Sequence, residues 1–196
     1  MGLDQSTFWV IDVEGNGASP PEIVELAMVQ ISHGEVLDRQ RHYFIRPEKP
    51  ISPHVTRIHG ITNEDVAAAP PFEDIVDELM RWLDGAAIVG HNVKVEVDIL
   101  TRSLPDWSPT QAIDTLRLAR LVLPELASHS LENVGAALGL TEQARRRSGQ
   151  GHHSALFDAT LTALVFLDLT ERATKAGRPE LVAEADILGS RQGRLL

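Results

Sequence analysis

A mixed α/β sheet of about five strands, with helices packed on it, is the fold class this chain predicts. Two observations carry that expectation. Three β-branched and aromatic runs follow one another within the first 46 residues, and from residue 53 onward helical patterns alternate with short apolar stretches. The 196 residues, 43% hydrophobic and 23% charged, are enough to build one cored domain and exclude general disorder.

Residues 7–13 predict a buried strand, because Phe8, Trp9, Val10, Ile11 and Val13 crowd into it, and Gly15-Asn16-Gly17 closes it with a turn. Residues 23–32 and 36–46 predict two more strands, joined through His33-Gly34-Glu35 as a hairpin, so the first three strands are expected to be antiparallel and sequential. Residues 53–59 suggest a short helix ended by Gly60. Residues 72–83 predict a longer helix, with Ile75, Leu79, Trp82 and Leu83 on one face and acids near its start. Residues 86–90 form a short apolar strand that runs into His91-Asn92 and a helix over 93–103. Ala112-Ile113-Asp114 predicts a further strand, feeding a helix stopped by Pro124. Residues 130–138 predict a helix with a capping serine and Gly139 after it. The polar stretch 142–151, with Arg145, Arg146 and Arg147 in a row, reads as a mobile loop. Residues 154–175 form the longest helical pattern. Residues 1–175 are therefore assigned to one domain, and 176–196 to a tail or a short docked helix.

Composition removes several functions. The chain has no cysteine, so disulfides, thiolate zinc sites, iron–sulfur clusters and cysteine nucleophiles are excluded. No run approaches the roughly 18 apolar residues of a membrane span, and no basic segment followed by an apolar run opens the chain, so no membrane partner is expected and the cytoplasm is the expected location. Met1, Gly2 and Ser6 fit an acylation pattern, but no basic residues accompany them and the segment reads as an unstructured start. The net charge of −10 argues against coating long DNA through a broad basic face. It does not exclude gripping a few nucleotides at one strand end, and it suits a site that collects carboxylates around cations.

Three places concentrate chemistry. Asp12 and Glu14 lie two apart on a strand, so both project from one face while Val13 points into the core. Such a pair either sits solvated at the strand end or has a divalent cation between its members. Glu96 lies one turn into the helix after His91-Asn92, where it either favours the helix dipole or serves a site. Asp98 falls on the other side of that helix, Leu100 shares the side of Glu96, and Val95 and Ile99 pair as packing. His153 stands at a loop–helix junction, and Asp158 sits about one turn inside an otherwise apolar helix, costly there without a charged partner. Four acids from three elements plus one histidine match the needs of two-metal phosphodiester hydrolysis. Such a reaction needs carboxylate oxygens for two cations and a base beside the attacking water, and no nucleophilic side chain.

These residues resemble the DnaQ-like (DEDDh) 3′–5′ exonuclease family. Asp12-Val13-Glu14 resembles its first motif. His91-Asn92 with Glu96 and Leu100 resembles its second, and His153 with Asp158 its third. The stretch from Glu22 to Glu25 with Leu26-Ala27, His59-Gly60-Ile61-Thr62, Asp114-Thr115-Leu116 and Ser130-Leu131-Glu132 resemble lesser signatures, and the similarity spans residues 7–172. The resemblance implies a ribonuclease-H-like fold. It implies Asp12, Glu14, Glu96 and Asp158 as ligands of two Mg²⁺ or Mn²⁺ ions, with Asp12 shared, and His153 as general base. The implied partner is the 3′ end of single-stranded DNA or RNA. A homodimer is compatible with the family, but nothing in the sequence shows one.

Two positions depart from the family. Glu96 stands where the family usually has Asp, and its extra methylene changes the distance to a cation. Gly15-Asn16-Gly17 replaces a hydroxyl-bearing segment, so backbone N–H contacts to the terminal nucleotide are retained and hydroxyl contacts are not. For substrate grip, Arg145, Arg146 and Arg147 either reach phosphates or form a solvated basic loop. His59 and Ile61 are placed to stack or wedge against the terminal base. His91 and Asn92 either touch substrate or close the strand–helix turn, and His152 is a second candidate base. A catalytically weak member acting as a nucleic-acid-binding or protein-interaction module is the competing expectation, and a hydrolase of small phosphoesters a third.

Overall fold

The computed structural model describes residues 7–189. Strands β1 (Thr7–Gly15), β2 (Ile23–Ser32) and β3 (Glu35–Phe44) form the expected antiparallel meander, and β4 (Ala87–Gly90) and β5 (Gln111–Asp114) add to it in parallel. The strand order is β3-β2-β1-β4-β5, so β1 is central, with one antiparallel and one parallel neighbour. Parallel strands need crossovers, and the helices supply them. Those between β3 and β5 do so: α1 (Pro53–His59), α2 (Val76–Leu83, after a 3₁₀ turn over Phe72–Ile75) and α3 (Lys94–Ser103), while α4 (Thr115–Val122), α5 (Leu131–Ala137), α6 (Thr141–Ser148), α7 (Ala155–Lys175) and α8 (Leu181–Glu184) follow β5.

The period of two along β1 divides the core. Phe8 and Val10 face α7, in a cluster with Ala27, Val29 and Ile31 of β2 and with Phe157, Leu161, Val165, Phe166 and Leu169 of α7. Trp9 and Ile11 face the other way, toward Leu79 and Leu83 of α2 and Ile99 and Leu100 of α3, with Val13 packed on that side. By the same alternation, Asp12 and Glu14 lie on the α7 face, at the end of β1 where its parallel neighbour β4 also ends. Helix α7 is the spine: 14 of its 21 residues are buried, so it is held in one place against β1 and β2.

Two expectations need correction. Arg145, Arg146 and Arg147 do not lie on a mobile loop but in the last turn of α6. Ala144 buries the inner face of that helix, its basic end complements the helix dipole, and Gly149 closes it at φ +69°. Val95 is 51% exposed rather than paired with Ile99, which is buried. Residues 178–189 include α8, and Asp186 pairs with Ile113 at the edge of β5 and accepts a hydrogen bond from the Ala112 amide. Residues 1–6 and 190–196, which include the acylation pattern and the end of the tail, lie outside the described residues.

Because α7 carries the site and is held by packing, loosening it lowers stability directly. Phe166 is fully buried, with its ring edge-on to Phe8 at 5.4 Å. Phe166→Ala is expected to cost about 3–5 kcal/mol in urea unfolding, through lost burial and the cavity left behind.

Candidate active site

The side chains of Asp12, Glu14 and Asp158 each offer an oxygen, and these atoms lie within 4.8 Å of one another. Two come from the end of β1. The third comes from the first turn of α7, where the Asp158 amide closes that turn on the Ser154 carbonyl. Asp12 sits opposite Ala27 in the strand pairing, where a small neighbour leaves space above the sheet. Glu96 approaches from α3 and is 5% exposed, while Asp98 points outward and pairs with Lys94. Glu96 is therefore the acid that the second motif turns inward. Its charge acts on Asp12, although it is not one of the tight three, and its Oε2 is buried with no hydrogen-bond partner among the described residues.

The electrostatics are those of a cluster short of positive charge. Burial first, then Glu96, Asp158, Glu14 and Glu25, push the Asp12 carboxyl well above the usual carboxylate range. Burial, then Asp158 and Glu25, raise Glu14 to about 8. Glu96 is raised to about 8, by burial and then by Asp114 and Glu14. Asp158 is raised to about 6 by burial, against the opposing pull of His153 and His152. Close carboxylates in a low-dielectric site either keep protons or hold a cation. Hard oxygen donors from β1 and α7 and one orphaned buried oxygen from α3 fit a divalent cation, and Asp12, Glu14, Asp158 and Glu96 are the residues that would hold it.

Histidines ring this cluster in different roles. His153 is exposed at the mouth of α7, at φ +63°. His152 instead packs edge-on against Phe157, with ring centroids 4.5 Å apart, which makes it a packing residue rather than a second base. His59 binds through both ring nitrogens: Nδ1 accepts from the Ile61 amide and Nε2 donates to the Gly15 carbonyl. Both bonds need the neutral ring, and burial lowers its pKa accordingly. His91 Nε2 donates to the His129 carbonyl, and its Nδ1 meets the Thr115 hydroxyl. It closes the strand–helix turn, the structural of its two readings. Asn92 takes the left-handed conformation there, at φ +71°, with its amide donating to Asp114.

The remaining predicted substrate residues separate. Ile61 is 7% exposed and packs with Val24, Ile51 and Val66, so it does not wedge against a base. The exposed apolar side chain of this segment is Ile58, at 47%. Asn16 is fully buried. Its amide donates to the Glu22 carbonyl and its side chain ties Ala18, Glu22 and Lys49, so it builds the turn instead of offering donors. Gly17 is exposed at φ +76°, and a Cβ there would meet the Ser52 hydroxyl at 2.6 Å, so the turn requires glycine. Arg145 pairs with Glu142, and Arg147 with Asp38 and the Val36 carbonyl. Arg146 is exposed on the same turn of α6.

Two acids escaped the sequence reading as site residues. Asp114 accepts from the amides of Asn92, Leu116 and Arg117, so one carboxylate starts α4 and fixes the turn before Glu96. Glu25 is 2% exposed on β2, directly opposite Glu14. Its signal was an acid inside an apolar strand.

Comparison with known proteins identifies the family. The RNase T family, described as exonuclease, matches residues 9–166, and the chain belongs to it, a DnaQ-like exonuclease domain of ribonuclease-H-like fold. The 3′-5′ exonuclease DinG of Bacillus subtilis (strain 168) is 33% identical over 91% of this chain, which spans 19% of that protein. DNA polymerase III PolC-type of Thermotoga maritima is 35% identical over 90% of this chain, which spans 13% of it. The chain thus spans less than a fifth of either curated relative. Exonuclease X, solved in complex with 5′ overhanging duplex DNA, superposes with a TM-score of 0.73 at 29% identity, covering 91% of this chain and 98% of that one.

The charge balance sets a pH dependence. Glu14 and Glu96 lose their protons near 4.5 when unfolded but only near 8 when folded, and Asp158 near 6 rather than 3.8. The folded state binds more protons between those values, so stability is lost as pH rises through that window. In EDTA, Tm is expected to fall from pH 5 to pH 8, with Mn²⁺ at pH 8 restoring it. A flat Tm in EDTA contradicts the clustering.

Proposed function

We propose that the chain is a metal-dependent 3′–5′ exonuclease that hydrolyses phosphodiester bonds at the 3′ end of single-stranded DNA or RNA and releases nucleoside 5′-monophosphates. The observation that carries this reading is the set of Asp12, Glu14 and Asp158 oxygens within 4.8 Å, with the orphaned Glu96 oxygen nearby. Two Mg²⁺ or Mn²⁺ ions bound there would supply an activated water and stabilisation of the leaving 3′-oxygen. The protein holds the rest of the reaction. Asp12 and Glu14 stay in place because Ile11 and Val13, which alternate with them, are fixed in the core on the opposite face and Val10 in the core on their own face. His153, exposed beside Asp158, accepts the proton of the attacking water. The Gly15 carbonyl is bound by His59, which sets the turn where the terminal nucleotide docks, and Ile58 and the His59 ring offer an apolar surface to its base. Arg146 offers a cation to the approaching backbone.

A second reading has one observation in its favour. Glu96 replaces the family's usual Asp and stands outside the tight three, which fits a weak enzyme kept for binding. The relation to a protein solved on 5′ overhanging duplex DNA adds a recessed 3′ end to the substrates worth comparing.

A gel assay separates these readings. With 5′-labelled single-stranded DNA, single-stranded RNA and a 5′ overhanging duplex, each in Mg²⁺, Mn²⁺ or EDTA, a ladder shortening from the 3′ end is expected. It should vanish in EDTA and in Asp12→Asn. His153→Ala is expected to lower kcat by about 10²–10⁴-fold. Activity in Mn²⁺ alone that extends to Mg²⁺ in Glu96→Asp traces the metal preference to the longer acid. Binding without cleavage on every substrate favours the second reading.

A further inference from the structure

Glu25 is an expensive residue where it stands. It lies directly opposite Glu14 in the β1–β2 pairing, and like charges facing each other across strands destabilise a sheet. It is also 2% exposed, so water screens little of that repulsion. Its charge bears on Asp12, Glu14 and Asp158. Yet it is not one of the tight metal-type cluster, and its own contacts explain why.

Both of its oxygens are taken. Oε1 meets His42 Nε2 at 2.6 Å and Oε2 accepts from the Ala155 amide at 3.1 Å, while the Ser154 hydroxyl, 3.4 Å from Oε1, has Gln150 Oε1 as its closer acceptor. Ser154 is the N-cap residue of α7, but its side chain makes no capping bond. The cap of α7 therefore comes from a different strand. A carboxylate suits that place, because the helix start presents free amides and the positive end of the dipole. The clamp falls between two residues of the site: His153 precedes Ser154, and Asp158 closes its first helical turn on the Ser154 carbonyl.

We propose that Glu25 is a positioning residue for the hydrolysis, clamping the start of α7 to β2 so that His153 and Asp158 keep their distance from Asp12 and Glu14, with His42 holding Glu25 in place. The proposal rests on the nuclease reading for its effect on rate, and on the structure alone for its effect on the helix start. Burying an acid against Glu14 makes sense if the start of α7 must be tied to the strand beside the metal-type acids. A misplacement of about 1 Å at such a site costs about 10²-fold in rate.

The test uses the full chain with Glu25→Ala and Glu25→Gln. Glutamine keeps an acceptor for the Ala155 amide, so it serves as the conservative rescue. In Glu25→Ala, amide hydrogen exchange is expected to speed up at residues 153–158 while the amides of β1 and β2 stay protected. Mn²⁺ affinity by calorimetry is expected to weaken about 10-fold. On the substrate that wild type cleaves best, kcat should fall about 100-fold with KM changed less than about threefold. Glu25→Gln is expected to recover most of the exchange protection and of the Mn²⁺ affinity. An Ala variant with wild-type exchange at 153–158 overturns the proposal. So does one whose exchange rises everywhere, with kcat lost only in proportion to the unfolded fraction. If wild type cleaves nothing, the nuclease reading fails while exchange and Mn²⁺ affinity still decide on the clamp.

Discussion

Mutual repulsion among crowded carboxylates is the constraint on which this structure turns. Asp12, Glu14 and Asp158 crowd together on the α7 face of the sheet, with Glu96 nearby and Glu25 behind. An arrangement like this survives only if the scaffold around it is stiff, because every local relaxation would spread the charges apart. The stiffness comes from β1, central in the sheet and packed on both faces, and from α7, buried along most of its length. Stability is spent locally so that four acids from three elements converge where a cation would fit.

Around that centre, polar groups hold the elements that carry the acids. Asp114 ties the turn before Glu96, and His91 seals the same turn from the other side through Thr115 and the His129 carbonyl. His59 and Asn16 hold the turn that follows β1. These residues share one feature: their polar atoms are consumed by the protein, whereas His153 stands exposed and Glu96 keeps an oxygen without a partner. That contrast separates groups that build the site from groups left for something outside the chain.

Period and spacing made much of this legible in the sequence. Strict alternation put Asp12 and Glu14 on one face, and the helical period turned Glu96 inward and Asp98 outward, as the burial of one and the surface ion pair of the other show. What failed to show depended on contacts between distant segments. Glu25 entered only as part of the second-strand signature, because its partners lie on β3 and at the start of α7. Ile61 looked available beside a glycine, but Val24, Ile51 and Val66 close over it. The arginine row looked like a loop because one buried alanine is its only apolar anchor, and packing against α7 supplies the rest. His152 and His153 are adjacent and identical in type; the spacing to Asp158 singled out His153, and the packing of His152 on Phe157 with the exposure of His153 separates them in the structure.

The measurement that bears most directly on the central claim is a crystal structure of the protein with Mn²⁺, read by anomalous scattering. The account predicts Mn²⁺ bound among Asp12, Glu14 and Asp158, with Glu96 turned to the ion or to one of its waters. Well-ordered crystals at saturating Mn²⁺ with no anomalous peak among those carboxylates, or with Mn²⁺ held only elsewhere, would contradict it.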